Sequence, residues 1–219
     1  MAHDNQLGVW YSDQRDPLHG QKLAHQTSTD LLNWGPVVND AAFANYTQRP
    51  GMITIAKLGN TGKWICSFEV AFATEDPINA PYASHYKIAD SPFAFGPEPA
   101  QLIQAANTGT ISSAGPYTVW TPVGGPNGTI VTSDSTYDQL FLNTAWGEQS
   151  AWEEVASGHG VGYTRALQVM PNEKVILLTN GGMYGGNVTM ASTGDYIVPG
   201  PPSNQDTISS CNRGGHHGW

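Results

Sequence analysis

Residues 52–70 read Met52-Ile-Thr-Ile-Ala-Lys-Leu-Gly-Asn-Thr-Gly-Lys-Trp-Ile-Cys-Ser-Phe-Glu-Val70 and contain two apolar runs separated by a turn. The runs cover residues 52–57 and 63–70, and the residues between them are mostly of the types that form tight turns. Two strand-like runs separated by a short glycine-containing segment predict a β-hairpin. Because apolar residues occupy both alternating faces of the second run, we expect its strand to be buried on both faces.

The same pattern occurs twice more along the chain. Residues 117–123 and 129–133 flank Gly124-Gly-Pro-Asn-Gly128, and residues 163–169 and 174–178 flank Met170-Pro-Asn-Glu173. Further strand signals lie at residues 7–12, 22–27, 86–89, 102–103, 139–143 and 195–198. Repeats of about 40–60 residues with four strands each are typical of β-propeller blades. The sequence therefore predicts an all-β partial propeller over residues 1–200, with about three and a half to four blades, followed by a disordered tail at residues 201–219.

The composition agrees with this fold class and excludes several kinds of partner. Charged residues make up only 12% of the chain, whereas Gly and Pro contribute 25 and 15 residues, which favours strands and turns over helices. The net charge is −9 with only nine Lys and Arg residues, so nucleic acid and anionic membranes are not expected partners. No run of about 18 apolar residues occurs, and we therefore predict no membrane-spanning segment.

The short motifs carry less information about the compartment and about bound groups. Cys66 and Cys211 are too few for a disulfide scaffold or a cysteine-based zinc site. A long-range disulfide stays open, although we favour one buried thiol and one thiol in the tail. The N-terminus shows no signal-peptide pattern. Three glycosylation sequons mildly favour secretion; they begin at Asn45, Asn127 and Asn187.

One turn resembles a degenerate sialidase Asp-box. It reads Ser28-Thr-Asp-Leu-Leu-Asn-Trp34, lacks the usual glycine, and has its tryptophan one residue early. In such boxes the Ser, Asp and Trp close the turn between the two outer strands of a blade. We therefore expect a structural role for this turn and no catalytic one.

Glu69 is the main candidate for a chemical role, because it lies near the end of the otherwise apolar run at residues 64–72. Alternation along the strand places Ile65, Ser67 and Glu69 on one face. Burial of a carboxyl group is costly unless the group is paired, hydrogen-bonded or protonated, and a raised pKa is what a general acid needs near neutral pH. The competing interpretation is a strand-end glutamate in solvent or in a structural ion pair.

Arginines and aromatic residues near strand ends are candidates for ligand binding. Arg49 and Arg165 are candidates for a binding role, although each could instead pair with a nearby aspartate and join neighbouring blades. For Arg15, which lies between Asp13 and Asp16, we favour the ion pair. The aromatic candidates for stacking on a sugar are also compatible with a core position; they are Tyr117, Trp120 and Tyr163.

Several of these blocks together resemble glycoside hydrolase family 93, the fungal exo-α-1,5-L-arabinanases. The matching blocks are Tyr11-Ser-Asp-Gln-Arg-Asp-Pro17, His19-Gly-Gln-Lys-Leu-Ala-His-Gln-Thr-Ser-Thr-Asp-Leu-Leu-Asn-Trp34, Arg49-Pro-Gly-Met52, Ser67-Phe-Glu69, Trp120-Thr-Pro-Val-Gly-Gly-Pro-Asn-Gly-Thr129 and Gly162-Tyr-Thr-Arg165. The resemblance covers residues 4–200. It implies a six-bladed, sialidase-like propeller that releases arabinobiose from linear arabinan with retention of anomeric configuration.

The resemblance also implies roles for particular residues. Retention needs two carboxyl groups about 5–5.5 Å apart, and Glu69 matches the position of one of them, with a role as acid/base favoured over nucleophile. Tyr163 matches a tyrosine that lines the family's active site, and Arg49 and Arg165 match positions near the same pocket. The second catalytic glutamate of the family precedes the strand that aligns with residues 7–12, upstream of Met1. We therefore expect a truncated, weakened or inactive enzyme whose open propeller edge allows self-association.

Two other functions stay open at this point. The chain could be a non-catalytic, carbohydrate-binding propeller, or a sialidase-type glycosidase in which Arg15, Arg49 and Arg165 converge with Tyr163 and a glutamate. Arabinan or a related plant cell-wall oligosaccharide is the expected ligand, and secretion is expected for the full-length parent. Hydrolysis by two carboxyl groups needs no cofactor and no metal, so none is predicted.

Overall fold

The computed structural model describes residues 1–72, 74, 80–157, 163–173, 175–181 and 193–197. Within this part the chain forms fifteen β-strands and one short 3-10 helix, Gln149–Ala151. No described helix is long and apolar enough to cross a membrane. The predicted tail at residues 201–219 and Cys211 lie outside the described residues.

The strands form four separate sheets, which we call blades 1 to 4 in chain order. Blade 1 contains β1 (Ala2–His3), β2 (Gln6–Asp13), β3 (Lys22–Ser28) and β4 (Val38–Ala41). Blade 2 contains β5 (Arg49–Lys57), β6 (Trp64–Ala71), β7 (Tyr82–Ala89) and β8 (Gln101–Leu102). Blade 3 contains β9 (Tyr117–Thr121), β10 (Thr129–Ser133), β11 (Gln139–Asn143) and β12 (Trp152–Ala156). Blade 4 contains β13 (Tyr163–Val169), β14 (Val175–Gly181) and β15 (Thr193–Ile197).

Within each blade, every strand pairs antiparallel with the strand that follows it in the chain, so each blade is a meander. This arrangement confirms the all-β, propeller-type fold and the number of blades expected in the chain. The hairpin predicted at residues 52–70 is formed by β5 and β6. Its turn is closed by two backbone hydrogen bonds, one from Leu58 N–H to Lys63 O (2.9 Å) and one from Thr61 N–H to Leu58 O (3.2 Å).

The core is divided into three clusters, one at each junction between consecutive blades. Burial on both faces explains why most of strand β6 is apolar. Cys66 and Phe68 pack toward blade 1, and Ile65 packs toward blade 3. Each large side chain that is fully buried in this way contributes about 1.5–3 kcal/mol to folding. Cys66 is a free thiol, and burial raises its pKa, which agrees with the favoured interpretation of that cysteine as a buried thiol.

A chain of hydroxyl groups joins blades 2 and 3 inside this core. Thr118 Oγ1 donates to Ser67 Oγ at 2.6 Å, and Ser67 Oγ lies 2.9 Å from Thr54 Oγ1. Thr118 Oγ1 is also 2.8 Å from Thr132 Oγ1. Because buried hydroxyls are costly unless they are bonded, these four groups fix the register between the two blades.

The Asp-box-like turn joins β3 to β4, as the sequence predicted. Ser28 Oγ accepts the backbone N–H of Leu31 at 2.8 Å, and Asp30 Oδ1 accepts the N–H groups of Leu32 and Asn33, each at 2.8 Å. These bonds hold the pKa of Asp30 well below its usual range. The serine and the aspartate therefore close the turn, and the expectation of a structural role is confirmed.

Candidate functional site

The first strands of blades 2, 3 and 4 lie side by side and line a groove of about 660 Å³. Strand pairing shows which ends meet: Arg49 at the start of β5 is opposite Ala71, and Tyr117 at the start of β9 is opposite Ser133. The starts of β5 and β9 therefore lie at the same end of their blades as the ends of β6 and β10. We call this end, which contains Glu69, the mouth.

Glu69 lies on β6 between Gly51 of β5 and Ser84 of β7. Its Oε2 accepts the backbone N–H of Gly115 at 2.6 Å. A Cβ atom added at Gly51 would lie 3.7 Å from Glu69 Oε1, so this oxygen faces a position without a side chain. Burial raises the pKa of the carboxyl group, and the Gly115 N–H opposes that rise in part. The site can therefore hold a protonated carboxyl group at a higher pH than an exposed glutamate could.

A polar bridge from blade 1 reaches the mouth beside Glu69. Gln21 Nε2 donates to Pro50 O at 2.6 Å, and Gln21 Oε1 accepts bonds from Gln14 Nε2 at 2.7 Å and from Arg49 Nη2 at 3.1 Å. The Cβ position built at Gly51 is 3.1 Å from Gln21 Nε2, which brings this bridge next to the glutamate. Arg49 therefore lies at the same end of blade 2 as Glu69. Its buried Nε has no hydrogen-bond partner among the described residues.

The turn at residues 113–116 connects Glu69 to a second carboxyl group, Asp134. Ser113 N–H donates to Asp134 Oδ2 at 3.1 Å, while Gly115 N–H holds Glu69. Asp134 Oδ1 also accepts the N–H groups of Thr136 and Tyr137, at 3.1 and 2.9 Å. Asp134 is fully buried, and this burial raises its pKa to about 6.

The turn itself has an unusual backbone. Ala114 and Gly115 adopt positive φ angles of 66° and 52°, a region that costs a non-glycine residue about 1–2 kcal/mol. Two blades hold the turn in this conformation, since Ala114 N–H donates to Tyr82 O at 3.0 Å and Ala114 O accepts Ser135 N–H at 2.8 Å. The Gly115 N–H is therefore aimed at Glu69 by bonds from both sides of the junction between blades 2 and 3.

Glu69 and Asp134 occupy similar positions in successive blades. The second strands of blades 1, 2 and 3 each end with or near a carboxylate: Asp13, Glu69 and Asp134. Arg15 pairs with Asp13 through two bonds of 2.7 and 3.1 Å, which confirms the predicted ion pair and lowers the pKa of Asp13 to about 2. Of the three carboxyl groups, Glu69 alone combines partial exposure with a raised pKa. Sequence reasoning missed Asp134 and Gly115, although the repeated strand-end acid was visible in the sequence.

The other predicted binding residues are spread over the groove and the core. Tyr117 is half-buried at the start of β9 and lines the groove. Trp120 lines the groove near the other end of β9, where its ring stacks on Trp146 at 6.2 Å and its Nε1 donates to Asn127 O. Tyr163 begins β13, but its side chain lies outside what the structure describes.

Arg165 is buried, with 1% of its surface exposed. Its Nη1 donates to Gln139 O at 3.2 Å and its Nη2 lies 3.7 Å from Asp138 Oδ1, so it ties blade 4 to blade 3. With Arg15 bound to Asp13, these contacts do not favour the three converging arginines of a sialidase-type site. No group of three or more His, Cys, Asp or Glu residues suited to a metal ion occurs in the described part.

Comparison with known proteins gives a clear result among solved structures only. No protein-family model and no curated protein matches the chain. The chain is 37% identical to an α-L-arabinofuranosidase from Fusarium graminearum solved with an iminosugar inhibitor, with a TM-score of 0.83. It is 36% identical to an α-L-arabinanase from Penicillium chrysogenum solved with arabinobiose, with a TM-score of 0.81. Each match covers 90% of this chain and 56% of the solved one.

A further structure of the Fusarium enzyme, described as a family 93 glycoside hydrolase, contains arabinobiose and is 36% identical to this chain. An exo-β-1,3-galactanase from Clostridium thermocellum, at 14% identity and a TM-score of 0.55, shares the fold alone. The chain spans a little over half the length of the family 93 structures, at 56%. The sequence blocks, the propeller-type fold and these matches agree, and the chain therefore belongs to glycoside hydrolase family 93.

Proposed function

We propose that this protein resembles retaining, exo-acting, arabinan-directed glycoside hydrolases, with Glu69 in the position of one of the two catalytic carboxyl groups that retention requires. The observation that supports the proposal most directly is the setting of Glu69, which is partly exposed at the mouth, has a raised pKa and accepts one backbone N–H bond. Arabinobiose is bound in solved relatives from Fusarium and Penicillium, which supports a short arabinose oligosaccharide as the ligand.

We assign Glu69 the acid/base role. A protonated carboxyl group donates its proton to the glycosidic oxygen as the bond to the leaving sugar breaks, and the resulting carboxylate later accepts a proton from water. Because Oε2 of Glu69 accepts the Gly115 N–H, the proton is carried by Oε1, which faces Gly51. The Gly115 N–H then stabilises the carboxylate formed after proton transfer.

Hydrolysis with retention needs a second carboxyl group near Glu69, and this requirement limits the activity expected of this chain. Asp13 is paired with Arg15 and Asp134 is fully buried, so neither is free to attack a sugar at the mouth. We therefore propose that the chain binds arabinose oligosaccharides and hydrolyses them weakly or not at all. Arg49 and Tyr117 are proposed as binding residues, since one lies at the mouth and the other lines the groove. Tyr163, Arg165 and Trp120 stay predictions.

The test combines hydrolysis of linear 1,5-arabinan with calorimetric binding of arabinobiose, for the wild type and for Glu69→Gln. Glu153→Gln is the matched control, because Glu153 is an exposed residue on the outer strand β12. Loss of arabinobiose release in the Glu69 variant alone would support a catalytic role. Binding of arabinobiose without hydrolysis would mean that this chain acts as a carbohydrate-binding protein, as expected if neither Asp13 nor Asp134 serves as the second carboxyl group. Failure of a folded chain to bind arabinobiose, or a preference for acidic sugars, would contradict the proposal.

A further inference from the structure

The structure separates two sequons that look equivalent in the sequence. The first, Asn45-Tyr-Thr47, lies in the exposed turn between β4 and β5. Asn45, Tyr46 and Thr47 are all exposed, and Tyr46 leaves 60% of its surface accessible. The turn is stable without help from the asparagine nitrogen, because Gln48 N–H donates to Asn45 O at 3.0 Å.

The sequon of Asn45 presents both of its reactive groups at the surface. Thr47 donates to Asn45 Oδ1 twice, from its backbone N–H at 3.1 Å and from its hydroxyl at 2.9 Å. These bonds hold the hydroxyl against the side-chain amide and polarise its carbonyl. Asn45 Nδ2 has no hydrogen-bond acceptor within the described residues, so the nitrogen that would carry a sugar points to no competing partner.

The second sequon, Asn127-Gly-Thr129, is withdrawn into the fold. Asn127 is half-buried, and its Nδ2 donates to Thr144 O at 3.0 Å. Thr129 is 1% exposed, and its hydroxyl donates to Val123 O at 2.7 Å. A sugar on Asn127 would have to occupy the space beside the Thr144 carbonyl, at the turn that supports Trp120. The third sequon, at Asn187, lies outside the described residues.

We propose that Asn45 is an N-glycosylation site of this protein and that Asn127 is not. In the reaction, Asn45 Nδ2 forms a bond to the anomeric carbon of an N-acetylglucosamine-containing oligosaccharide carried on a lipid pyrophosphate. The lipid pyrophosphate leaves, and one proton of Nδ2 is taken by a base of the transferase. The product is a bulky, hydrophilic group on the loop that leads into Arg49 and the mouth. The inference requires passage through a secretory pathway, but it does not require arabinan cleavage, so the two proposals can fail separately.

The test is expression of the full chain behind a secretory leader in a yeast host, with Asn187→Gln introduced so that the third sequon does not contribute. We expect one gel shift that a peptide N-glycosidase removes and that leaves an aspartate at residue 45 in the peptide map. Asn45→Gln and Thr47→Ala should each abolish the shift, and Thr47→Ser should retain it, because serine also completes a sequon. Asn127→Gln should leave the shift unchanged.

An unmodified residue 45 in the secreted protein would overturn the proposal, and so would a glycan on Asn127. If the chain is not secreted, translation with microsomes tests Asn45 alone, because transfer to the unfolded chain does not depend on the fold that buries Thr129. In that assay Asn45→Gln must remove one shift from the parent chain, and an unchanged pattern would again overturn the proposal. Because the readout is mass, an inactive chain does not affect either result.

Discussion

Asp134 should make the stability of this protein depend on pH in a direction opposite to that of an ion-paired carboxylate. Burial raises its pKa from the ordinary value of 3.8 to about 6. Between these two values the folded protein binds the proton and the unfolded chain does not. The free energy of unfolding must therefore fall as the pH rises through this window. A pKa rise of this size corresponds to a loss of about 3 kcal/mol in the free energy of unfolding. This destabilisation is complete above pH 6 and absent below pH 3.8.

The perturbation is Asp134→Asn, which has nearly the same shape and no charge at any pH in this range. The free energies of unfolding of the variant and the wild type would be measured by urea titration at several values between pH 4 and pH 7. We expect their difference to shift by about 3 kcal/mol in favour of the variant across this range. The raised pKa of Glu69 acts in both proteins and cancels in the difference.

Glu153→Gln is the control, since Glu153 is exposed on the outer strand β12. Its difference from the wild type should stay nearly constant over the same pH range. A constant difference for Asp134→Asn as well, or a shift in favour of the wild type, would refute the reasoning. It would mean that the three N–H bonds to Asp134 offset its burial.

Two further substitutions test how the site is held. Gly115→Ala should lower the free energy of unfolding by about 2 kcal/mol, because residue 115 has a φ of 52° and a new methyl group would lie 2.8 Å from Ser135 Oγ. Gly62→Ala, with positive φ but open space around it, should cost only about 1 kcal/mol, and equal costs would exclude the contact with Ser135 as the cause. Thr118→Val should cost about 1–3 kcal/mol in the same urea assay, since it leaves two buried hydroxyls with one partner fewer, and a cost below 0.5 kcal/mol would argue against the hydroxyl chain.

Local sequence signals were sufficient for the parts of the fold that depend on period and turn chemistry. The hairpin at residues 52–70 was predicted because two largely apolar runs flank a turn that contains two glycines. Strands β4 and β12 were missed. They read Val-Asn-Asp-Ala and Trp-Glu-Glu-Val-Ala, each contain two consecutive polar residues, and lie at the outer edge of their blades. An outer strand pairs on one side only, so burial imposes little apolar pattern on it.

The site was predicted only in part for a different reason. Glu69 could be identified because a carboxylate interrupts an apolar strand, and that signal is local. The importance of Gly115 and Asp134 could not be read in the same way. These residues are 46 and 65 positions away from Glu69 in the chain, and only the folded backbone turn at residues 113–116 connects them to it. Arg165 matched a family block, yet the fold buries it against Gln139 and Asp138.

The sequence by itself determined the all-β class, the blade repeat, the structural role of the turn at Ser28 and the choice of Glu69. These follow from hydrophobic period and turn residues, which act over a few neighbouring positions. The tertiary structure decided which carboxyl group stays open, which arginine reaches the mouth and which sequon remains at the surface. Burial and hydrogen-bond partners decide these properties, and both arise only when distant segments of the chain pack together.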